Sequence, residues 1–153
     1  MTQALSIGRE TAISVIINGV LSLLFFIALF GMQPRLLAWR APDGLALDFL
    51  PQSVAVALMS ALVPALIARR KMDGEPALRP ILVRAALFAL AGGALGGVLA
   101  FLVGGLGLVF IGWGFALMIK VTYGGALGAL VASLALRQLL ASQKRMEKRI
   151  DRR

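Results

Sequence analysis

The run AALFALAGGALGGVLAFLVGGLGLVFIGWGFALMI, residues 85–119, decides the fold because its 35 residues include no charged side chain. About 20 apolar residues suffice to cross the roughly 30 Å of hydrocarbon in a bilayer, so this run is too long for one straight crossing. The sequence GGLG at 104–107 is a natural place to turn, since glycine adopts the backbone conformations of tight connections. We therefore predict two membrane helices here, near residues 81–103 and 108–136.

Two further uncharged apolar runs precede this one. Residues 11–32 read TAISVIINGVLSLLFFIALFGM, and the run at residues 49–68 ends at the basic sequence RRK. The first run is longer than the apolar segment of a signal peptide, and no A-x-A site closely follows it, so we predict a retained helix. The predicted fold is an all-α integral membrane protein with a four-helix transmembrane domain, residues 1–136, and a basic, amphipathic helical tail, residues 137–153.

The distribution of basic residues predicts the orientation. One basic residue precedes the first span, five lie between the second and third, and seven follow the fourth, whereas the opposite side carries only Arg35 and Arg40. Cytoplasmic segments carry the excess of Lys and Arg, so thirteen against two places both termini in the cytoplasm, an N-in/C-in topology. We expect a bacterial-type plasma (inner) membrane, with Trp39 and Trp113 as interfacial anchors on the outer side.

Composition excludes several classes of function. The chain is 59% hydrophobic, and only 15% of its residues are charged, against about 25% in soluble domains. Because it has neither Cys nor His, thiolate and imidazole metal sites and Ser-His or Cys-His nucleophiles are excluded. No two acids are expected to converge within the membrane, so we predict no enzyme activity, catalytic residue, metal or cofactor. The net charge of +9 lies mostly beside the spans, which favours lipid over nucleic acid as the partner.

Polar residues recur every four positions along the first span, at Glu10, Ser14, Asn18 and Ser22. Residues at this spacing share one face of a helix, and in hydrocarbon such a face should meet protein or water. One interpretation is the wall of a polar path. The other is hydrogen bonding between helices, worth roughly 0.6–2 kcal/mol per contact.

Small-residue ridges occupy the third and fourth spans, which read AGGALGG at 91–97 and YGGALGA at 123–129. Glycines four apart allow helices to approach closely. The two helices could pack through matching grooves, one could grip a second protomer, or the flat surface could bind a lipid or planar ligand. The glycines concerned are Gly92, Gly93, Gly96, Gly97, Gly124 and Gly128.

Lys120 is the one basic residue inside an apolar span. All seven acids fall outside its predicted depth, so we expect no carboxylate of the chain to reach it. A charge in mid-bilayer costs roughly 2.5–3.5 kcal/mol on insertion scales. Lys120 could therefore extend outward to water, stay neutral, or meet an anion from another molecule, with the hydroxyl of Tyr123 nearby.

The outer loop and the tail carry the remaining features. Asp43 and Gly44 predict a turn. Asp48 is suited to cap the second helix, and the apolar loop residues could rest on the membrane surface. Basic clusters beside membrane helices attract anionic lipids at about 1 kcal/mol per residue. The residues expected to contact lipid at the cytoplasmic face are Arg69, Arg70, Lys71, Lys144, Arg145, Lys148 and Arg149.

Two functions follow from these patterns. The first is a small transport or permeation protein, in which Lys120 and the Glu10–Ser22 stripe line a path for a small anion or amphiphile. The second is a non-catalytic accessory or assembly subunit of a larger membrane complex, docked through Lys120 or the glycine ridges. Four helices alone leave little room for a path. Both functions therefore require other chains, in a homo-oligomer or a larger complex.

Overall fold

The computed structural model describes residues 7–70 and 78–150, without the side chains of residues 7–10, 68, 70 and 139–150. The elements are α1 (Ile7–Phe30), β1 (Leu36–Ala38), α2 (Phe49–Arg70), α3 (Leu78–Gly105), β2 (Phe110–Gly112) and α4 (Trp113–Ile150). All four helices are long and apolar enough to cross a membrane. The prediction of four helices is confirmed, and the helical continuation of the fourth one beyond residue 136 is confirmed to Ile150.

Three of the helices form the core. α1 packs along α4, α2 packs against α4, and α3 packs along the other side of α2. We call the end that holds the α1–α2 loop and the α3–α4 connection the loop end, and the opposite end the terminal end. Interfaces between helices in lipid depend on close packing and hydrogen bonds, so the contacts of α1, α2 and α4 determine where buried polar groups meet.

The two glycine ridges face different helices, and the predicted packing of α3 against α4 through matching grooves is wrong. A Cβ on Gly92 would lie 2.6 Å from Ala57 Cβ, and one on Gly96 would lie 2.5 Å from Phe49 O, both in α2. A Cβ on Gly124 or Gly128 would instead overlap Ser22 or Asn18 of α1. The reason is that α2 lies between α3 and α4, so each ridge meets its own neighbour.

The α3–α4 connection is longer than the turn predicted from GGLG. α3 ends at Gly105, Gly107 has a φ of 70°, and α4 begins at Trp113 rather than at residue 108. Residues 110–112 are extended because they pair with β1 of the α1–α2 loop in an antiparallel ribbon, with Leu36 opposite Gly112. A short β-ribbon is thus added to the predicted all-α architecture.

The α1–α2 loop folds over the loop end, while its Leu36 and Leu47 stay exposed. Residues 35–48, together with β2, form what we call the loop-end cap. Its buried members Leu37, Trp39 and Leu45 pack with Phe26 and other side chains of the helix ends. Trp39 is therefore a core residue and not the expected interfacial anchor, while the partly buried Trp113 donates its indole N–H to Gly31 O at 3.0 Å.

Two arginines stabilise the loop-end cap through an ion pair and hydrogen bonds. Arg35 Nη2 lies 2.7 Å from Asp43 Oδ1, and Asp43 Oδ2 accepts the N–H of Ala38 at 2.8 Å. The hydrogen bond from Arg35, with that of Ala38, holds the pKa of Asp43 below its usual range. Arg40 donates twice to Gly104 O, at 2.6 and 3.0 Å, and so joins the cap to the end of α3.

Candidate functional site

The centre of the candidate site is an ion pair between Lys120 and Asp48. Lys120 Nζ lies 2.9 Å from Asp48 Oδ2 and 3.7 Å from the centroid of the Phe49 ring. Lys120 is 1% exposed and Asp48 is 7% exposed. The expectation that no carboxylate of the chain reaches Lys120 is therefore wrong. Lys120 is instead paired with a carboxylate of its own chain.

The direction of the lysine side chain explains the pair. Side chains of a helix tilt toward its N-terminus, so Lys120, about two turns into α4, extends toward the loop end. Asp48 immediately precedes α2 there and is covered by the loop-end cap. Asp48 does not show the predicted capping bonds, because the N–H of Leu50 donates to Leu47 O at 3.1 Å and Pro51 has no N–H to donate. The partial positive charge of the α2 N-terminus also favours a carboxylate at this position.

Hydrogen bonds extend from this pair toward the terminal end. Gln52 Nε2 donates to Ser22 Oγ and to Lys120 O, each at 3.0 Å. Asn18 Nδ2 donates to Ser60 Oγ at 2.8 Å. These residues link all three helices of the core. We call the set the polar column; it consists of Asp48, Lys120, Gln52, Ser22, Asn18, Ser60 and Ser14.

Glycines of α4 make room for the polar stripe of α1. Gly124 lies beside Ser22 and Gly128 beside Asn18, at distances that leave no space for a Cβ. Ser14 Oγ donates to Gly128 O at 3.1 Å, a bond that needs the same close approach. The structure thus buries Ser14, Asn18 and Ser22 against protein, as the four-residue spacing predicts.

Tyr123 is linked to the ion pair through its contacts with Ser53 and Phe49 of α2. Its hydroxyl lies 2.6 Å from Ser53 Oγ, and its ring meets the Phe49 ring edge-on, with centroids 5.1 Å apart. Phe49 is therefore held between Tyr123 on one side and the ammonium group of Lys120. An aromatic face in this position stabilises a cation by about 0.5–2 kcal/mol.

Three buried acceptor atoms of the polar column have no hydrogen-bond partner within the described residues. They are Asp48 Oδ1, Gln52 Oε1 and Asn18 Oδ1. Each belongs to a side chain whose other polar atom is engaged. Buried polar atoms are nearly always satisfied by protein or ordered water, so each of these oxygens is an acceptor that still needs a donor.

Sequence reasoning placed Ser60 of α2 at the depth of Lys120, but it missed the contributions of Asp48 and Gln52. Asp48, Gln52 and Ser60 lie on one face at multiples of four residues, the same signal that identified the stripe of α1. The stripe was conspicuous in α1 because it interrupts a long apolar span. Asp48 and Gln52 were assigned to a loop and a helix start, where polar residues are ordinary.

Several predicted site residues lie outside the described part of the chain. The side chains of Glu10, Arg70, Lys144, Arg145, Lys148 and Arg149 are not described, and neither is Lys71. Arg69 is partly buried near the end of α2. Contact with anionic lipid stays a prediction for the basic residues among them, and the place of Glu10 in the polar stripe stays a prediction too.

Over residues 7–70 and 78–150, no cluster of three or more His, Cys, Asp or Glu is placed to hold a metal ion. The polar groups of the site are one ammonium, one carboxylate, two amides and the serine hydroxyls. Comparison with models of known protein families, with characterised proteins and with solved structures finds no match. The function must consequently be argued from the site.

Proposed function

We propose that the protein is a small multi-pass membrane transport protein that moves a small anion, with Lys120 as the binding residue. The observation that carries this proposal is the buried Lys120–Asp48 pair at the loop end of the polar column. Desolvating each ion of such a pair costs several kcal/mol, and apolar residues often replace buried pairs without loss of stability. Charged residues inside membrane domains commonly mark ion or substrate pathways.

Asp48 occupies the position that the anion would take. A small anion that enters beneath the loop-end cap exchanges with the Asp48 carboxylate, so that Lys120 keeps one negative partner throughout. The ring of Phe49, 3.7 Å from Nζ, keeps the ammonium group in place during the exchange.

Passage beyond Lys120 requires the helices to separate. The donors that follow it, on Gln52, Asn18 and Ser14, are engaged in contacts between helices. α1 packs more closely on α4 than on α2. Movement of α1 and α4 together, away from α2, would expose these donors to the anion in sequence. Separation within one small bundle is easier when neighbouring copies support it, which is why we propose a homo-oligomer.

The membrane and the orientation form part of the proposal. Thirteen basic residues beside the terminal end against two at the loop end favour an N-in/C-in topology in a bacterial-type inner membrane. Anionic lipids of the cytoplasmic leaflet would then contact the basic residues of the α2–α3 segment and the tail. A reporter fused after Arg153 tests this: activity of an extracytoplasmic reporter would contradict it.

The experiment is anion flux in liposomes that contain the purified protein. Small anions such as chloride, nitrate and formate are offered singly. The double variant Asp48→Asn with Lys120→Met removes both charges together and is expected to abolish the flux. Met118→Leu, an exposed position of the same helix, is the matched control and should keep it. Flux of the double variant equal to that of the wild type would overturn the proposal.

A second candidate, an accessory subunit of a membrane complex, is favoured by the length of α4. This helix has 38 residues, about 57 Å at 1.5 Å per residue, whereas roughly 30 Å of hydrocarbon needs about 20. Its basic extension suits a partner at the terminal end. Purification in mild detergent of the wild type and of a chain that ends at Gln138 decides between the two. A stable partner lost on truncation, with no flux by the wild type, would favour the subunit.

A further inference from the structure

We propose that the polar column holds a file of water molecules and conducts protons across the membrane, from the loop end to the terminal end, where Ser14 is its last member. This activity goes beyond anion transport because it requires no anion to move. It rests on the geometry of three buried oxygens and on the chemistry of the groups between them.

The three unpartnered oxygens follow one another along the column. Asp48 immediately precedes α2, and Gln52 lies four residues further on, about 6 Å along the helix axis. Gln52 donates to Ser22 of α1, and Asn18 lies one turn further along α1. All three side chains are at least 93% buried, at 7%, 3% and 2% exposure.

Water fits these atoms better than a metal ion or an organic cation. Each unpartnered oxygen is an acceptor and needs a donor. A buried water molecule typically makes about three hydrogen bonds to such groups. The Asp48 carboxylate is already neutralised by Lys120 at 2.9 Å. The other two oxygens are uncharged amide oxygens, which cannot alone offset the dehydration of a cation. The ammonium group of Lys120, with three N–H donors, has donors left for water beside its bond to Asp48.

The groups beside this file can relay a proton. Hydroxyls both donate and accept, and Ser22, Ser60 and Ser14 supply them between the ion pair and the terminal end. A proton from the loop end binds Asp48 Oδ1 and passes to the adjacent water, which releases another proton onward. Each transfer breaks one O–H bond and forms one, so the net change is one proton moved and no group is consumed. The amides of Gln52 and Asn18 orient the water.

The experiment measures proton flux in liposomes that contain the purified protein and a pH-sensitive dye. Gluconate is the sole anion, and a potassium gradient with valinomycin supplies the driving potential. The wild type should dissipate a pH gradient faster than protein-free liposomes. Asn18→Leu and Gln52→Leu should lower the rate to the protein-free value. Ser133→Ala is the matched control, since this hydroxyl bonds only to Leu130 O of its own helix among the contacts of the described residues.

A direct measurement on the wild type keeps the proposal testable even where a variant fails to fold. Cross-relaxation in nuclear magnetic resonance between water and the side-chain NH₂ groups of Gln52 and Asn18 reports water held in the column. We expect cross peaks at both. Their absence, or proton flux no faster than in protein-free liposomes, would overturn the proposal. Anion flux that persists in that case would leave the anion function standing, and proton flux without anion flux would remove the anion function alone.

Discussion

The Lys120 ammonium lies 2.9 Å from the Asp48 carboxylate and joins the first third of α4 to the residue that precedes α2. Both groups are buried, so the pair places two opposite charges in the helix core without adding net charge. Mutual attraction, the Phe49 ring and the α2 N-terminus offset part of the desolvation cost. The pair also links the loop-end cap to the helices that it covers.

Removing one charge of this pair should destabilise the protein more than removing both charges. Asp48→Asn leaves Lys120 buried without its counter-charge, and we expect a loss of about 3 kcal/mol in the free energy of unfolding. Adding Lys120→Met should restore most of the loss, because no unpaired charge remains. Thermal unfolding in mild detergent, followed by circular dichroism, gives both values. A double variant less stable than Asp48→Asn would contradict the expectation.

The close approach of α1 and α4 predicts opposite effects for adjacent glycines. Gly124→Ala places a methyl group on Ser22, and overpacking of this kind costs about 1–3 kcal/mol. Gly125→Ala has its nearest neighbour at 3.6 Å, so it should be neutral or slightly stabilising, since alanine favours a helix. Melting temperatures in the same detergent compare the two. Ser22→Gly should rescue Gly124→Ala, and the absence of rescue would place the clash elsewhere.

Helix neighbours can be tested by disulfide formation, because the chain contains no cysteine of its own. A Cβ on Gly93 would lie 3.1 Å from a methyl group of Val54, so the pair Gly93→Cys and Val54→Cys should cross-link on oxidation. The pair Gly97→Cys and Gly125→Cys joins the two small-residue ridges and should remain reduced. Mobility on non-reducing gels reads out both pairs. A cross-link in the second pair would show instead that α3 packs on α4.

The loop-end cap should loosen only in acid. The pKa of Asp43 is lowered by its hydrogen bonds with Arg35 and Ala38, so the stabilisation is complete above the ordinary carboxyl pKa, near 3.8. It is lost as pH falls through the lower value of the folded protein. Emission of the buried Trp39 should therefore be constant at neutral pH and shift to the red below about pH 4.

The variant Asp43→Asn is the control for this titration. It retains the shape of the side chain but removes its charge, so the cap should be equally loose across the whole pH range. If Asp43→Asn and the wild type show the same acid transition, another group is responsible.

The helices could be predicted from sequence because a span in lipid satisfies its own backbone. Apolar length alone therefore located α1, α2 and α3 to within a few residues, and the glycine turn correctly separated α3 from α4. The start of α4 was wrong because residues 110–112 find backbone partners in β1, which hydropathy does not encode. The spacing of Ser14, Asn18 and Ser22 predicted a buried face, since helical periodicity is local.

The partner of Lys120 could not be predicted in the same way. Asp48 belongs to a loop, and a loop's path depends on which apolar side chains bury together. Here Leu37, Trp39 and Leu45 fold inward and carry Asp48 to the ammonium group. The packing order of the helices was equally hidden, because GGALG fits any close neighbour.

The local sequence was thus enough to predict four apolar helices, the polar face of α1 and the position of the lysine within α4. Each depends on residues within a few turns of one another, where geometry is set by the backbone. Contacts between distant segments settled the rest: which helix each glycine ridge meets, and which carboxylate neutralises Lys120. Those contacts depend on the shape of the whole assembled chain, because burial of a loop or a ridge is decided by every neighbour that competes for the same surface.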